Sequence, residues 1–171
     1  LQNTSTSSAH RSTVSRCAAR PPLMMDALID QLDVQVIHAG GMTEMSALGT
    51  TCGLQSKHLA LPKEEQRKIL RKQGHAVYGV DMKIVDGQGC DLPNDGRAAG
   101  DLLVRGPWIV REYFKGDGGD PLVTDANGDK LFPTGDVATI DADGYMQTTD
   151  RTQDVIKSGG TGSTPIDIEN T

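Results

Sequence analysis

Three short polar clusters hold residue types that can do chemistry. The first is Thr43-Glu44, directly after Gly40-Gly41-Met42. A hydroxyl beside a carboxylate suits a phosphate–magnesium site: the hydroxyl donates to a phosphate oxygen, and the carboxylate holds the hard cation. The second is Thr134-Gly135-Asp136. An Asp at the head of a strand can accept from both hydroxyls of a ribose, as the acidic residue of dinucleotide sites does. The third is Asp150-Arg151, followed by Asp154 and Lys157-Ser158-Gly159-Gly160. A guanidinium fork binds ribose or phosphate, and glycines admit a thin ligand close to the backbone. Each cluster alone also has a plainer reading. These are a loop Thr with a solvated Glu, a turn Asp, and an exposed ion pair beside a linker, worth little.

Those side chains need elements to hold them. After Pro21-Pro22, the spacing of Met24, Met25, Leu28 and Leu32 predicts a helix with one apolar face. Val34 and Val36 around Gln35, then Ile37, predict a short strand that runs into Gly40-Gly41, where the chain can turn sharply. Thr43-Glu44 then falls in the loop after a strand, which is where open α/β sheets bind ligands. Residues 62–73 predict a second helix, with Glu64 and Glu65 in its first turn, Lys68, Arg71 and Lys72 near its end, and Gly74 as its stop.

From Val77 the apolar period changes to two. Residues 80–84, 102–105, 108–114, 137–140 and 145–148 read as strands, and Asp141-Ala142-Asp143-Gly144 is a hairpin signal. Strands at this spacing imply a small β-barrel or sandwich. Trp108 and Phe114 are expected in the core, and Met42 and Met45 beneath the glycine loop. His10, His58 and His75 are expected at surface or satisfied positions, and each cysteine as a buried filler. Asp125-Ala126-Asn127-Gly128-Asp129 resembles a calcium loop, but its glycine is fourth rather than sixth and no Glu closes it, so it reads as a turn.

Length and composition narrow the choices. A chain of 171 residues is one domain-sized unit. Its twenty glycines exceed the roughly twelve of average usage, and its aromatics number six, which makes it turn-rich with a thin core. The net charge of −6 is uneven: residues 1–80 carry nine Lys/Arg and six Asp/Glu, whereas residues 81–171 carry eight and seventeen, fifteen of them Asp. An acidic half repels phosphate backbones, which argues against a nucleic-acid partner. No apolar run approaches the ~20 residues of a membrane-spanning helix. Cys17, Cys52 and Cys90 have no metal-ligand spacing, and their odd number argues against a disulfide framework, so a reduced cytoplasmic setting is expected. Leu1 to Arg16 has the Ser/Thr-rich, acid-free composition of a transit peptide, although a cut edge of a larger domain accounts for it better.

Taken in order, four stretches carry a resemblance. They are His38-Ala39-Gly40-Gly41-Met42-Thr43-Glu44-Met45-Ser46; Gly100-Asp101-Leu102-Leu103-Val104-Arg105-Gly106-Pro107; Phe132-Pro133-Thr134-Gly135-Asp136-Val137-Ala138; and Asp150-Arg151-Thr152-Gln153-Asp154-Val155-Ile156-Lys157-Ser158-Gly159-Gly160. This succession resembles the AMP-forming, adenylating superfamily, and within it the medium- and long-chain fatty-acid–CoA ligases. The resemblance implies an α+β piece of such an enzyme. Residues 1–76 would end its large α/β nucleotide-binding domain, 77–150 would form a small β-barrel subdomain, and 151–171 the hinge and the start of a C-terminal lid. It implies ATP, Mg²⁺ and coenzyme A as reactants and cofactor, and a fatty acid as substrate.

The resemblance also implies residue roles. Thr43 contacts phosphate and Glu44 holds Mg²⁺. Asp136 grips the ribose hydroxyls, Arg151 supports ribose or phosphate, and Lys157 faces the adenylate phosphate. His38, Ala39 and Gly40 border the adenine, with Gly41 beside them in the nucleotide-binding loop. Four departures from the family pattern stand out. Gly40 replaces the usual Trp or Tyr, Arg16-Cys17 falls where the family carries Gly-Gly, Gln153 replaces a Lys, and Thr161-Gly162 replaces Glu-Trp. The family's phosphate loop and its C-terminal catalytic Lys have no counterpart in these residues. The expectation is therefore a ligase fragment that does not turn over alone. The alternatives are a non-catalytic adenylate-binding module or decayed paralogue, and an Asp-rich calcium-binding adhesion-like module.

Overall fold

The computed structural model describes residues 11–16, 22–32 and 34–151. The described strands form two sheets. The first has the order β1-β2-β3-β4, from β1 (Arg11–Arg16), β2 (Val34–Gly40), β3 (Thr50–Thr51) and β4 (His75–Ala76). β1 and β2 are parallel, in register from Arg11 opposite Val34 to Arg16 opposite Ala39, and β3 and β4 are antiparallel additions. Residues 11–16 form the edge strand of this sheet. Helix α1 (Pro22–Leu32) connects the parallel pair, as parallel strands require.

Helix α1 starts on Pro22, where a missing N–H costs nothing. Its inward face differs from the expected one. Met25 is buried and Leu28 and Ile29 are half-buried, whereas Met24 and Leu32 are exposed. Residues 25, 28 and 29 form an i, i+3, i+4 stripe that turns away from Met24. Helix α2 (Lys63–Leu70) buries no side chain and is tied to α1 by ion pairs Arg67–Asp30 and Arg71–Asp26, the latter at 2.7 Å. It stops before residue 73, earlier than its charge pattern suggests, because Gln73 is used elsewhere. The Gln73 amide donates to the Met146 carbonyl at 3.0 Å, and the Met146 amide donates to the Gly74 carbonyl at 2.8 Å.

The second sheet is antiparallel throughout, from β5 (Asp81–Val85), β6 (Ala99–Arg105), β7 (Val123–Thr124), β8 (Lys130–Ile140) and β9 (Met146–Arg151). β8 pairs with β6 along one edge, and its other edge is shared by β7 at one end and β9 at the other. Among the described residues the sheet stays open, so the expected barrel closure is corrected to an open sheet. Alternation sends Ile84, Leu102, Val104, Phe132, Ala138 and Ile140 to the main core, with Met45 and Met146 added from outside β5–β8. Val85, Leu103 and Leu131 point the other way.

Residues 108–114 form no strand. The Ile109 amide closes a turn onto Gly106, and the Val110 amide bonds the Glu44 carbonyl instead of a neighbouring strand. Trp108 and Phe114 are accordingly surface residues, Phe114 being 81% exposed, and neither is a core residue as expected. Cys52 is buried as anticipated, but Cys90 is exposed at the end of a turn.

Three turns repeat one design. Asp86, Asp125 and Asp141 each accept, through one carboxylate oxygen, the amides two and four residues on, at 2.7–3.0 Å. A glycine three residues on takes a positive φ each time. Much of the acidic half is thus turn chemistry.

Candidate functional site

The glycine loop leaves β2 at Gly40. The Gly49 amide bonds the Gly40 carbonyl at 2.9 Å, which pinches the loop at its neck. Residues Thr43–Met45 make a single 3-10 turn, closed by Met45 onto Met42 and Ser46 onto Thr43, both at 3.0 Å. Ser46 and Ala47 follow with φ of 47° and 76°. Positive φ in non-glycine residues is stored strain, of a kind that collects at ligand sites. Gly41 is required: a Cβ there would run into the Ala47 carbonyl. Met45 anchors the turn by its burial in the core, and Met42 packs against that core, as the sequence suggested. Thr43 is left exposed and Glu44 half-exposed.

His38 and Ala39 are buried within β2. His38 Nδ1 lies 3.2 Å from the Arg71 carbonyl oxygen. Gly40 donates its amide to the Thr50 hydroxyl at 3.1 Å, and that hydroxyl occupies the space where a Cβ on residue 40 would stand. An aromatic side chain at residue 40 therefore has no room in this backbone unless Thr50 moves.

A segment outside the three clusters reaches this loop. Ser46 Oγ donates to the Trp108 carbonyl at 2.9 Å, the Trp108 indole N–H donates to the Leu48 carbonyl at 3.3 Å, and the Tyr113 phenol donates to Glu44 Oε1 at 3.2 Å. Desolvation and the Glu44 carboxylate raise the Tyr113 phenol above its ordinary value. This contact was hard to read from the sequence, because residues 108–114 read as a strand. Gly106-Pro107 was the cue that a turn begins there.

Asp136 sits in β8 within a bulge, between the pairs Pro133–Leu103 and Val137–Asp101. The Thr134 hydroxyl donates to the Leu102 carbonyl at 3.1 Å and accepts the Asp136 amide at 3.1 Å, while Gly135 turns with φ 77°. Register shifts fall on both sides, between Asp101 and Leu103 and between Val137 and Ala138. Bulges of this kind re-aim side chains at sites. Directly across the ladder from Asp136 is Arg151. The second and third clusters therefore meet as cross-strand partners. β9 joins them to the first: its start, Met146, has its methyl 3.6 Å from where a Gly40 Cβ would lie, and its end is Arg151, roughly 17 Å further along the strand. Lys157, Gln153, Thr161 and Cys17 lie outside the described residues.

The β8–β9 turn is pinned from below. The Tyr145 phenol donates to the Gly53 carbonyl at 2.7 Å and lies 3.2 Å from His58 Nδ1. His58 Nδ1 accepts the Gln55 amide, which leaves Nε2 to face Asp143 at 3.4 Å. Lys57 pairs with Asp143, and Lys72 pairs with Asp141 at 2.6 Å. The His75 ring lies tilted against the Tyr145 ring, centroids 3.9 Å apart, and burial lowers its pKa. Both histidines are satisfied structural groups.

The pattern of the AMP-binding enzyme family matches residues 2–114, well over half the chain. The chain belongs to this family. A 3-methylmercaptopropionyl-CoA ligase of Ruegeria pomeroyi is 48% identical over 92% of the chain, and a medium-chain-fatty-acid–CoA ligase of Ectopseudomonas oleovorans is 42% identical over 90%. The chain spans about 28% of the length of these AMP-binding relatives. Among solved structures, the o-succinylbenzoate CoA synthetase of Bacillus subtilis with its acyl-adenylate aligns over 94% of the chain and 30% of that protein, with a TM-score of 0.72 at 23% identity. That likeness establishes the fold, which is an α+β portion of the larger fold of that synthetase.

Proposed function

We propose that this chain is part of an ATP-dependent, AMP-forming acid–thiol ligase acting on fatty acids, working in the cytoplasm. The reading rests on one observation above the others. The strained Gly40–Gly49 loop presents Thr43 and Glu44 on one 3-10 turn at the end of a parallel strand, in a family whose relatives carry CoA-ligase names. In this reading a fatty carboxylate attacks the α-phosphorus of ATP, and the bond to pyrophosphate breaks. The thiol of coenzyme A then attacks the acyl carbonyl and releases AMP.

In-line displacement at phosphorus needs positioning and charge neutralisation more than acid–base chemistry. Thr43 donates its hydroxyl to a phosphate oxygen. Asp136 accepts the ribose hydroxyls, Arg151 steadies ribose or phosphate, and Lys157 faces the adenylate phosphate. His38, Ala39, Gly40 and Gly41 shape the strand end against the base. The residues also fit Mg²⁺. Glu44 is half-exposed, and among the described residues no group of three His, Cys, Asp or Glu gathers to form a protein cage. Mg²⁺ prefers this arrangement, with one or two carboxylates beside substrate phosphates and water. When bound, the ion neutralises phosphate charge.

Equilibrium titration with AMP or a stable acyl-adenylate analogue tests the reading. Asp136→Ala should weaken binding by roughly tenfold or more, the value of a charge-assisted hydrogen bond. Unchanged affinity removes the assignment. Pyrophosphate release with ATP, Mg²⁺ and C6–C16 acids should be absent for the 171 residues alone. One observation favours a second reading, a non-catalytic adenylate-binding module: the Thr50 hydroxyl fills the space in which a side chain on residue 40 would begin, the position where the resemblance implies an aromatic ring. A full-length protein that binds AMP and turns over none of the acids would establish it.

A further inference from the structure

We propose that Tyr113 is a positioning residue for the Glu44 carboxylate, which extends the reading of Glu44 as the magnesium ligand and rests on it. Three hydrogen bonds hold residues 108–110 on the glycine loop before the phenol is considered: Val110 N–H to the Glu44 carbonyl at 2.8 Å, Ser46 Oγ to the Trp108 carbonyl at 2.9 Å, and Trp108 Nε1 to the Leu48 carbonyl at 3.3 Å. Both backbones are therefore set relative to each other. The phenol then donates to one oxygen of the Glu44 side chain at 3.2 Å.

A half-exposed Glu would otherwise spread over several rotamers, and ordering it on metal binding costs that freedom. The phenol selects one of them in advance. It is also the right kind of partner. A lysine or arginine would hold the carboxylate but cancel its charge and oppose a cation. A neutral hydroxyl donor occupies one oxygen and leaves both the charge and the second oxygen for the ion.

The test is the Mg²⁺ dependence of ATP affinity, measured by equilibrium titration at varied free Mg²⁺ on the full-length protein carrying this chain. Parent, Tyr113→Phe and Glu44→Gln are compared. The parent should bind ATP more tightly as Mg²⁺ rises, and Glu44→Gln should flatten that response. Tyr113→Phe should move its midpoint to roughly three- to tenfold higher Mg²⁺, the effect of one hydrogen bond to a charged group, with ATP affinity at saturating Mg²⁺ and the thermal midpoint unchanged. A Tyr113→Phe midpoint equal to the parent's, with Glu44→Gln flattened, overturns the positioning role and leaves the magnesium reading intact. A parent indifferent to Mg²⁺, or a Glu44→Gln response like the parent's, removes the magnesium reading and the positioning role with it.

Discussion

The amide of Gly40 donates to the hydroxyl of Thr50, and that same hydroxyl fills the space in which any side chain on residue 40 would begin. One atom thus satisfies the end of β2 and fixes what residue 40 can be. Gly40→Ala should destabilise the protein by about 1–3 kcal/mol through overpacking. Thr50→Ala should cost about 1–2 kcal/mol by leaving a part-buried amide unpaired. The double variant should cost less than the two together, because the alanine at residue 50 makes room. Urea unfolding of the four proteins reads this directly, and strict additivity would refute the shared-space account.

Ala47 holds a φ of 76° in the loop that carries Glu44. An alanine in the left-handed region bears about 1 kcal/mol of strain that glycine does not. Ala47→Gly should therefore leave stability equal or raise it by up to about 1 kcal/mol, whereas Ala47→Val should lower it. The thermal midpoints of both variants check the sign.

The hairpin turn at 141–144 should weaken in acid. Asp141 is pushed up by burial, but the Lys72 hydrogen bond and the Tyr145 and Asp143 amides outweigh that and leave its pKa below the ordinary value. A carboxylate depressed in the folded state lends stability above its unfolded pKa, near 3.9, and loses it as pH falls through the folded value. The thermal midpoint should hold from about pH 7 to 5 and fall below about pH 4. Asp141→Asn keeps an acceptor for the two amides and should flatten part of that fall. An unchanged acid limb would sink the assignment.

Cys52 and Cys90 should differ sharply toward iodoacetamide at about pH 8. Burial pushes the Cys52 thiol up to about 11, and its Sγ faces the Ile69 carbonyl at 3.3 Å, whereas Cys90 is exposed. The thiolate is the nucleophile, so Cys90 should alkylate first and Cys52 only on unfolding. Peptide mass mapping over time distinguishes them.

Local patterns carried much of this structure in the sequence. The period-two runs placed β5, the second half of β6, the end of β8 and the start of β9, and the Asp-x-x-Gly signals placed their turns, because both are set by nearest neighbours. Met45 beneath the loop was legible for the same reason. What escaped depends on partners far along the chain. Gln73 looks helical until Met146 claims its amide, and residues 108–113 alternate like a strand until Glu44 and Leu48 claim theirs. The two-residue strands β3 and β4 are too short to show a period at all. At the candidate site the residue types were visible, but Tyr113 was not, since nothing local marks a phenol that meets an acid 69 positions away.

Met146 ties the two sheets together: it pairs with Ile140 in one, and its amide and carbonyl bond Gly74 and Gln73, the residues just before β4 of the other. The topological border near residue 76 is therefore not a fault line. Slow-exchanging amides on either side of it should become accessible to deuterium together, as one cooperative opening, and a protease should find no early cut between the two halves.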